Sequence, residues 1–491
     1  MAYKKRYLVA SRAGARLQHA ASAAVRDVVA ATGEAEVVRA TPFGRHVVTM
    51  PEAEAAALAA ARPGLLIEPD PPLRLFPMPG LPDVVPSEGE FEVPVLVTDA
   101  THNAPIANVT VYGIGEGAAS KSVTDATGRA VLRVHEPTLQ RVVASPADTY
   151  WSKYIEDVDA TSGKTLQFSL RPLPVTGRYG WAQRLMRFDR VNPAWRGDAV
   201  AVAVVDSGIS AKAADVVPSG GYNTLDAGAP DAWNVDEKGH GTHVGGLVAG
   251  VPHGIGMLGA APGVRLYSVR VFPGGHLSDL VEAIEWSMLA GMDVVNLSLG
   301  SPNPSLVLAQ VIGEAYSNGI TCIAAVGNDR TEVAYPAALP SVFGVSAIGR
   351  WGTFPNDSGH MLKVGAWTDW YGVVFSAAFT NFGHEVDVCA PGVAILSTVP
   401  SGYASWDGTS MAAPLVTALA ARLLQACPSI RTGDAQQVEI VRSILLASAI
   451  DLGLPVPQQG QGLPCADRAI NAAFYYARAS DRRRLVTMIA G

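Results

Sequence analysis

Four polar residues of this chain have types and settings that suit acyl transfer. Ser410 stands in "WDGTSMAAPLVTALAARLLQA" (406–426), at the mouth of an Ala- and Leu-rich stretch that reads as a buried helix. A hydroxyl there is either a helix cap or a nucleophile, and Pro414 sits one turn in. The choice depends on whether a base, an orienting acid and an oxyanion donor exist elsewhere. Asp206 closes the apolar run "AVAVVD". An acid at the end of a strand buried on both faces either caps the next turn or needs a partner. His240 and His243 lie one turn apart at the start of the small-residue helix "GHGTHVGGLVAG". A zinc site would want an acid between them and a third ligand, and neither is nearby. One histidine therefore reads as a base and the other as a packed, hydrogen-bonded neighbour. Asn328, after the strand "ITCIAAVG", offers a side-chain amide of the kind that stabilises an oxyanion.

These residues need elements to hold them together. From about residue 173 strands alternate with helices, which predicts an α/β domain: a mainly parallel sheet with helices on both faces and chemistry at its carboxyl edge. Residues 1–76 read β-α-β-β-α-β, a ferredoxin-like α+β unit. Its first helix is expected over "ARLQHAASAAVRDVVAATG", ended by Gly33, and its second opens at Pro51. A Pro- and Gly-rich linker spans 77–90. Residues 91–172 carry strand signals alone ("FEVPVLVTD", "NVTVYGI", "RAVLRV", "RVVAS", "KTLQFSL"), which predicts a small all-β sandwich. The remainder, 173–491, is the α/β domain.

Hydrophobic residues make up 48% of the 491 and charged ones only 16%, so the chain can bury large cores. A net charge of −7 with no basic run argues against a nucleic-acid partner. The four cysteines form no disulfide framework or metal-type spacing. No stretch reads as a membrane span. The N-terminus "MAYKKRYLVASRAG" lacks an apolar signal core, which on this sequence implies a cytoplasmic protein, or a secreted one if it is trimmed or exported by another route.

Beyond these readings, the chain resembles the subtilisin-like serine proteases over about residues 175–475. The resemblance rests on "VVDSGI", "HGTHVGG", "NLSLG", "AAVGN" and "GTSMAAP", with weaker likeness in "YPAALPSVFGVSAIG", "TNFGHEVDVCAPG" and "GQGLPCADRAI". It implies an endopeptidase acting on proteins or peptides, with Ser410 as nucleophile, His240 as base, Asp206 as orienting acid and Asn328 in the oxyanion hole; no cofactor is needed for the chemistry. The first substrate pocket would be walled by Ser298, Leu299, Gly300, Ala324, Ala325, Val326 and Gly327, with Ala334 shortening its floor. These small, uncharged residues suit an apolar side chain before the scissile bond. The first 76 residues resemble a subtilisin propeptide, an intramolecular inhibitor whose tail "LLIEPDPPLRLF" would put Leu73 and Phe76 in the fourth and first pockets. A structural Ca2+ would be held by Asp215 and the carbonyls of Val251, Ile255 and Met257, although His253 replaces an oxygen-bearing Asn. Three features depart from the family. Pro77 follows the expected cleavage point, a β-module separates the two family segments, and an aromatic insertion spans 351–377. The insertion reads as a surface loop or extra hairpin, or as a flap contacting substrate. The function in view is an endopeptidase made as a zymogen; the alternative is a silent binding or scaffold protein whose cleft stays filled by its own N-terminus.

Overall fold

The computed structural model describes residues 4–12, 26, 29, 35–76, 84, 89–117 and 119–477. Its centre is a nine-stranded sheet. The strands are β12 (Ala201–Asp206), β13 (Gly220–Asn223), β14 (Arg265–Arg270), β15 (Val294–Leu297), β16 (Thr321–Ala325), β17 (Val342–Arg350), β18 (Val364–Thr368), β19 (Val374–Ala377) and β20 (Val388–Pro391). They run in the order β13-β14-β12-β15-β16-β17-β19-β18, with β20 also paired to β17. Pairing is parallel from β13 through β17 and β20. The 351–377 insertion supplies the exception, because its hairpin β18–β19 adds antiparallel to the second half of β17. The insertion is thus an extension of the sheet.

Every residue of β12 is buried, which explains its unbroken apolar run. Its side chains alternate between two cores. Val202 and Val204 pack with Val244 and Leu247 of helix α3 (His240–Ala249) and with Leu415 and Leu419 of helix α6 (Thr409–Ala426). Ala201, Ala203 and Val205 pack on the other face with Leu280 and Ile284 of α4 (Leu277–Leu289) and Val311 of α5 (Leu306–Ser317). Helices α1 (Glu52–Ala61), α2 (Trp181–Leu185) and α7 (Ala435–Ser448) are also present.

Against α4 and α5 lies a four-stranded antiparallel sheet of order β2-β3-β1-β4, from β1 (Lys4–Ser11), β2 (Glu36–Ala40), β3 (His46–Pro51) and β4 (Leu65–Pro69). The helix expected before Gly33 lies outside the described residues except for Arg26 and Val29, which are helical, and the 77–90 linker lies outside them apart from 84, 89 and 90. Carboxylates from this unit sit on the positive ends of both helices. Glu68 accepts from the Leu306 N–H (2.8 Å) and the Ser305 hydroxyl (2.6 Å), and Asp70 from the Ser278 N–H (2.8 Å) and hydroxyl (2.9 Å). Between the helices Arg45, wholly buried, pairs with the equally buried Glu285 and with Glu314 (2.9 Å).

Residues 91–170 form two sheets around Val93, Val111, Leu132 and Phe168. One has the order β10-β9-β6-β7 and the other β11-β5-β8. The strands are β5 (Phe91–Asp99), β6 (Thr110–Ile114), β7 (Ala119–Val123), β8 (Arg129–Val134), β9 (Thr138–Ser145), β10 (Lys153–Asp159) and β11 (Leu166–Leu170). Strands β7 and β10 have no counterpart in the sequence reading. Both are sheet edges of mostly polar sequence, "ASKSV" and "KYIEDVD", where little apolar surface is needed.

Arg45→Ala should loosen the N-terminal sheet, because it strands Glu285 in the interior at a cost of about 3–5 kcal/mol. Hydrogen exchange of residues 36–69 in the full chain should speed up while β12–β17 keep their protection. Unchanged exchange in 36–69 would show that the buried pair does not hold the two units together.

Candidate active site

Asp206, with no exposed surface, ends β12 at the carboxyl edge of the sheet. It accepts from the Ser207 N–H (2.7 Å), and its two oxygens lie 2.8 and 2.9 Å from His240 Nδ1. A proton on Nδ1 leaves Nε2 as the basic nitrogen. The mouth of α3 must approach β12 closely for this contact. Gly241 allows it, since a Cβ there would stand 2.1 Å from the Gly208 carbonyl oxygen. Asp236 then fastens the mouth, accepting from the N–H groups of Gly239 (2.8 Å) and Thr242 (2.9 Å) and the hydroxyls of Ser207 (2.8 Å) and Thr242 (2.6 Å). Sequence reasoning overlooked Asp236. The available signal was an acid just ahead of a helix start, the pattern of a capping carboxylate.

Ser410 is the second residue of α6, and Pro414 explains part of its setting. Proline cannot donate to the carbonyl four residues back, which here is Ser410's own. The Ser298 hydroxyl donates to that carbonyl instead (3.0 Å), and the Ser410 hydroxyl donates to the Ser298 carbonyl (3.2 Å). Asn328 Oδ1 accepts from both the N–H and the hydroxyl of Thr409 (2.9 Å each), which fixes the direction of its amide nitrogen. Gly408, at φ 153°, precedes Thr409 at the mouth of α6. A Cβ placed on it would lie 3.2 Å from Asn328 Nδ2 and 3.7 Å from the Ser410 nitrogen. Two N–H donors close to one point suit a developing oxyanion.

The chain segment 71–76 lies across this edge as an extended strand. The Leu73 N–H donates to the Gly275 carbonyl (2.8 Å), the Leu277 N–H to the Pro71 carbonyl (2.9 Å), and Arg74 bridges antiparallel to Gly300. The Phe76 ring fills a slot between two glycines. A Cβ on Gly300 would come within 2.5 Å of the ring, and one on Gly327 within 3.4 Å. Ala325 and Ala334 belong to the same cluster. Side chains alternate across the pleat, so those of Leu299, Ala324 and Val326 belong to the core that includes Leu73, on the opposite face from Phe76. Ser298 contributes its carbonyl to Ser410.

The sequence profile of the subtilase family, peptidase S8, matches residues 197–464. The chain belongs to the subtilase family. Subtilisin DY of Bacillus licheniformis is 36% identical over 279 residues, covering 55% of this chain and 90% of that one. Subtilisin E of Bacillus subtilis (strain 168) is 38% identical over 246 residues, 48% of this chain and 58% of the relative. M-protease of Shouchella clausii is 39% identical over 238 residues, 48% of this chain and 56% of the relative. This subtilase is by class a serine endopeptidase.

The residues expected from the family to hold calcium lie around Asp215, which is buried. Asp215 is the only carboxylate among the four, and one of its oxygens already accepts from the Met257 N–H (2.8 Å). Its other oxygen is buried without a hydrogen-bond partner, while the Tyr403 hydroxyl reaches the Ile255 carbonyl (3.5 Å) and the side chains of Val251 and Ile255 are exposed. A hard cation wants six to eight oxygens, typically several of them carboxylate. Among the described residues no cluster of three metal-binding side chains occurs.

The two histidines of the subtilase titrate in opposite directions. Burial opposes charge on His240, but the Asp206 carboxylate, with Asp236 behind it, outweighs burial and raises the imidazole above its ordinary 6.5. His243 is pushed down to about 3 by burial and by His240. Its Nε2 lies 3.1 and 3.2 Å from the Ile395 and Ala404 carbonyls, and its ring stacks on Trp406 at 4.6 Å. The unfolded His243 binds a proton below about 6.5 and the folded one only near 3, so stability is full above 6.5 and falls as pH drops toward 3. NMR titration should keep His243 neutral at pH 5 while His240 is already protonated. The reverse order would overturn this assignment.

Proposed function

We propose that this subtilase cleaves peptide bonds through an acyl-enzyme on Ser410 and is held latent by its own N-terminal unit. The observation that carries the reading is the Asp206–His240 pair, together with Asn328 Nδ2 and the Ser410 nitrogen lying near the same side of Gly408. Ser410 Oγ turns from the Ser298 carbonyl toward His240 and attacks the scissile carbonyl while Nε2 takes its proton. The oxyanion accepts from Asn328 Nδ2 and the Ser410 N–H. His240 then delivers the proton to the leaving amine, and water, activated by the same nitrogen, releases the acyl group. Asp206 holds the ring in this tautomer and stabilises its charged form.

Residues 1–76 act as a propeptide-like, ferredoxin-like inhibitor. The antiparallel seating of 71–76 supports this, with Phe76 between Gly300 and Gly327 in the manner of a residue before a scissile bond. The alanines and glycines around that ring carry no charge, so apolar residues are preferred there. Beside Leu73 a cavity of about 330 Å³, lined by Leu280, Leu299, Leu308 and Tyr335, leaves room for a side chain larger than leucine in the fourth pocket. Pro77, outside the described residues, disfavours cleavage after Phe76 and leaves the inhibitor tethered at high effective concentration.

A fluorophosphonate should label Ser410 slowly in the full chain and fast after limited proteolysis of residues 1–90, with Ser410→Ala unlabelled in both. Absence of labelling after proteolysis would favour a silent scaffold. Intact mass should show the bond after Phe76 uncut in the parent and cut in Pro77→Ala.

His240 must be neutral to act as a base, so hydrolysis by the opened enzyme should be lost as pH falls through a value above 6.5. Asp236→Asn removes one of the charges that raise it and should move this acid limb to lower pH. A limb that stays put would remove Asp236 from the electrostatics of the base.

A further inference from the structure

The insertion carries the histidine of a second histidine–carboxylate pair. His360 lies in the turn Gly359–Lys363, and its Nδ1 stands 2.8 and 2.9 Å from the oxygens of Asp407. Its Nε2 stands 3.2 Å from the Ser405 hydroxyl. Both members of the pair are buried, at 4% and 9% exposure, so neither can be relieved by water. The residue types repeat those of the active site, but the ring is walled by Trp151 (5.5 Å, edge to face) and Phe354 (5.7 Å), which close it to a substrate. It is built as a support.

What it supports is the segment that carries the nucleophile. Asp407 precedes Gly408, near which Asn328 Nδ2 and the Ser410 nitrogen lie, and stands three residues before Ser410. Asp407 also accepts from the Ala394 N–H (2.7 Å) and faces the buried Lys363. The side that holds His360 is itself anchored to the β-module. Ser152 Oγ accepts from the Gly359 N–H (3.1 Å), Asp357 accepts at its carbonyl from the Tyr154 N–H (2.9 Å), and its carboxylate pairs with Arg171 and Lys153 (3.4 Å). The Thr149 N–H donates to the Tyr403 carbonyl (2.7 Å) in the hairpin β21 (Ile395–Val399)–β22 (Gly402–Trp406) that leads into Asp407.

We propose that His360 is a positioning residue for Ser410, acting through Asp407, and that the β-module and the 351–377 insertion together fix it in place. The inference rests on Ser410 being the nucleophile. Two of the three departures of this chain from the simple family pattern, the β-module and the insertion, then have one purpose: they clamp the approach to Gly408 from outside the sheet.

The test separates the hydrogen bond from packing. His360→Phe keeps an aromatic ring against Trp151 and Phe354 but removes the donor to Asp407. His360→Asn loses the ring but places an amide nitrogen where Nδ1 was. All variants are made in the full chain carrying Phe76→Ala, which vacates the first pocket. Fluorophosphonate acylation is then resolved into a maximal rate and a half-saturating concentration, normalised to the Ser410 labelled at completion. His360→Phe should lower the maximal rate about tenfold or more, as expected for a small misplacement of reacting groups, with half-saturation within about twofold. His360→Asn should recover most of that rate although it packs worse. A rate in His360→Phe equal to the parent, or above that of His360→Asn, overturns the proposal. Labelling that persists in Ser410→Ala of the same background overturns the nucleophile reading, and this inference with it.

Discussion

A carboxylate without solvent exposure, at the end of a strand buried on both faces, cannot stay ionised unless donors are brought to it. Asp206 is in that position, and much of the catalytic unit follows from meeting its demand. The partner is a histidine at a helix mouth, and the mouth must come close enough for the imidazole to reach. That closeness needs glycine at 241 and a second acid, Asp236, to gather the loose N–H groups of the first turn. The result is an imidazole whose proton affinity is set by two buried carboxylates against its own burial.

Ser410, the proposed nucleophile, is arranged by a different device. Pro414 deprives the Ser410 carbonyl of its helical donor, and Ser298 from the neighbouring strand end supplies the replacement. The same residue therefore ties the start of α6 to the substrate edge of β15. Thr409 turns Asn328 by occupying its oxygen, which frees the amide nitrogen's direction toward Gly408. Ser410 and Asn328 each have their orientation decided by a neighbour outside the proposed triad, Ser298 and Thr409.

The N-terminal unit uses the same electrostatic logic at larger scale. Glu68 and Asp70 occupy the positive ends of α5 and α4, and Arg45 reaches the acids between them. The segment that follows has little freedom left, and it runs straight into the cleft with Phe76 in the apolar slot. Docking and occupation of the cleft are one continuous contact.

The sequence by itself determined the parts whose signal is local. The unbroken apolar run before Asp206, the small-residue helices after His240 and Ser410, and the glycine beside each are demands of close packing that only certain residues meet, so they can be read from one chain. The parallel α/β domain and the four polar residues at its edge were legible for that reason. Other features depended on residues distant in sequence. The split of the expected pocket wall, with Ala325 toward Phe76 and Leu299, Ala324 and Val326 toward Leu73, follows from strand pleat and register. The polar edge strands β7 and β10 are defined by the ladders they join, and their own composition says little. Asp236, the Arg45 network and the His360–Asp407 pair are buried charges whose partners lie up to 269 residues away. Buried charge is satisfied in space, and the order of residues along the chain does not show which donor will arrive.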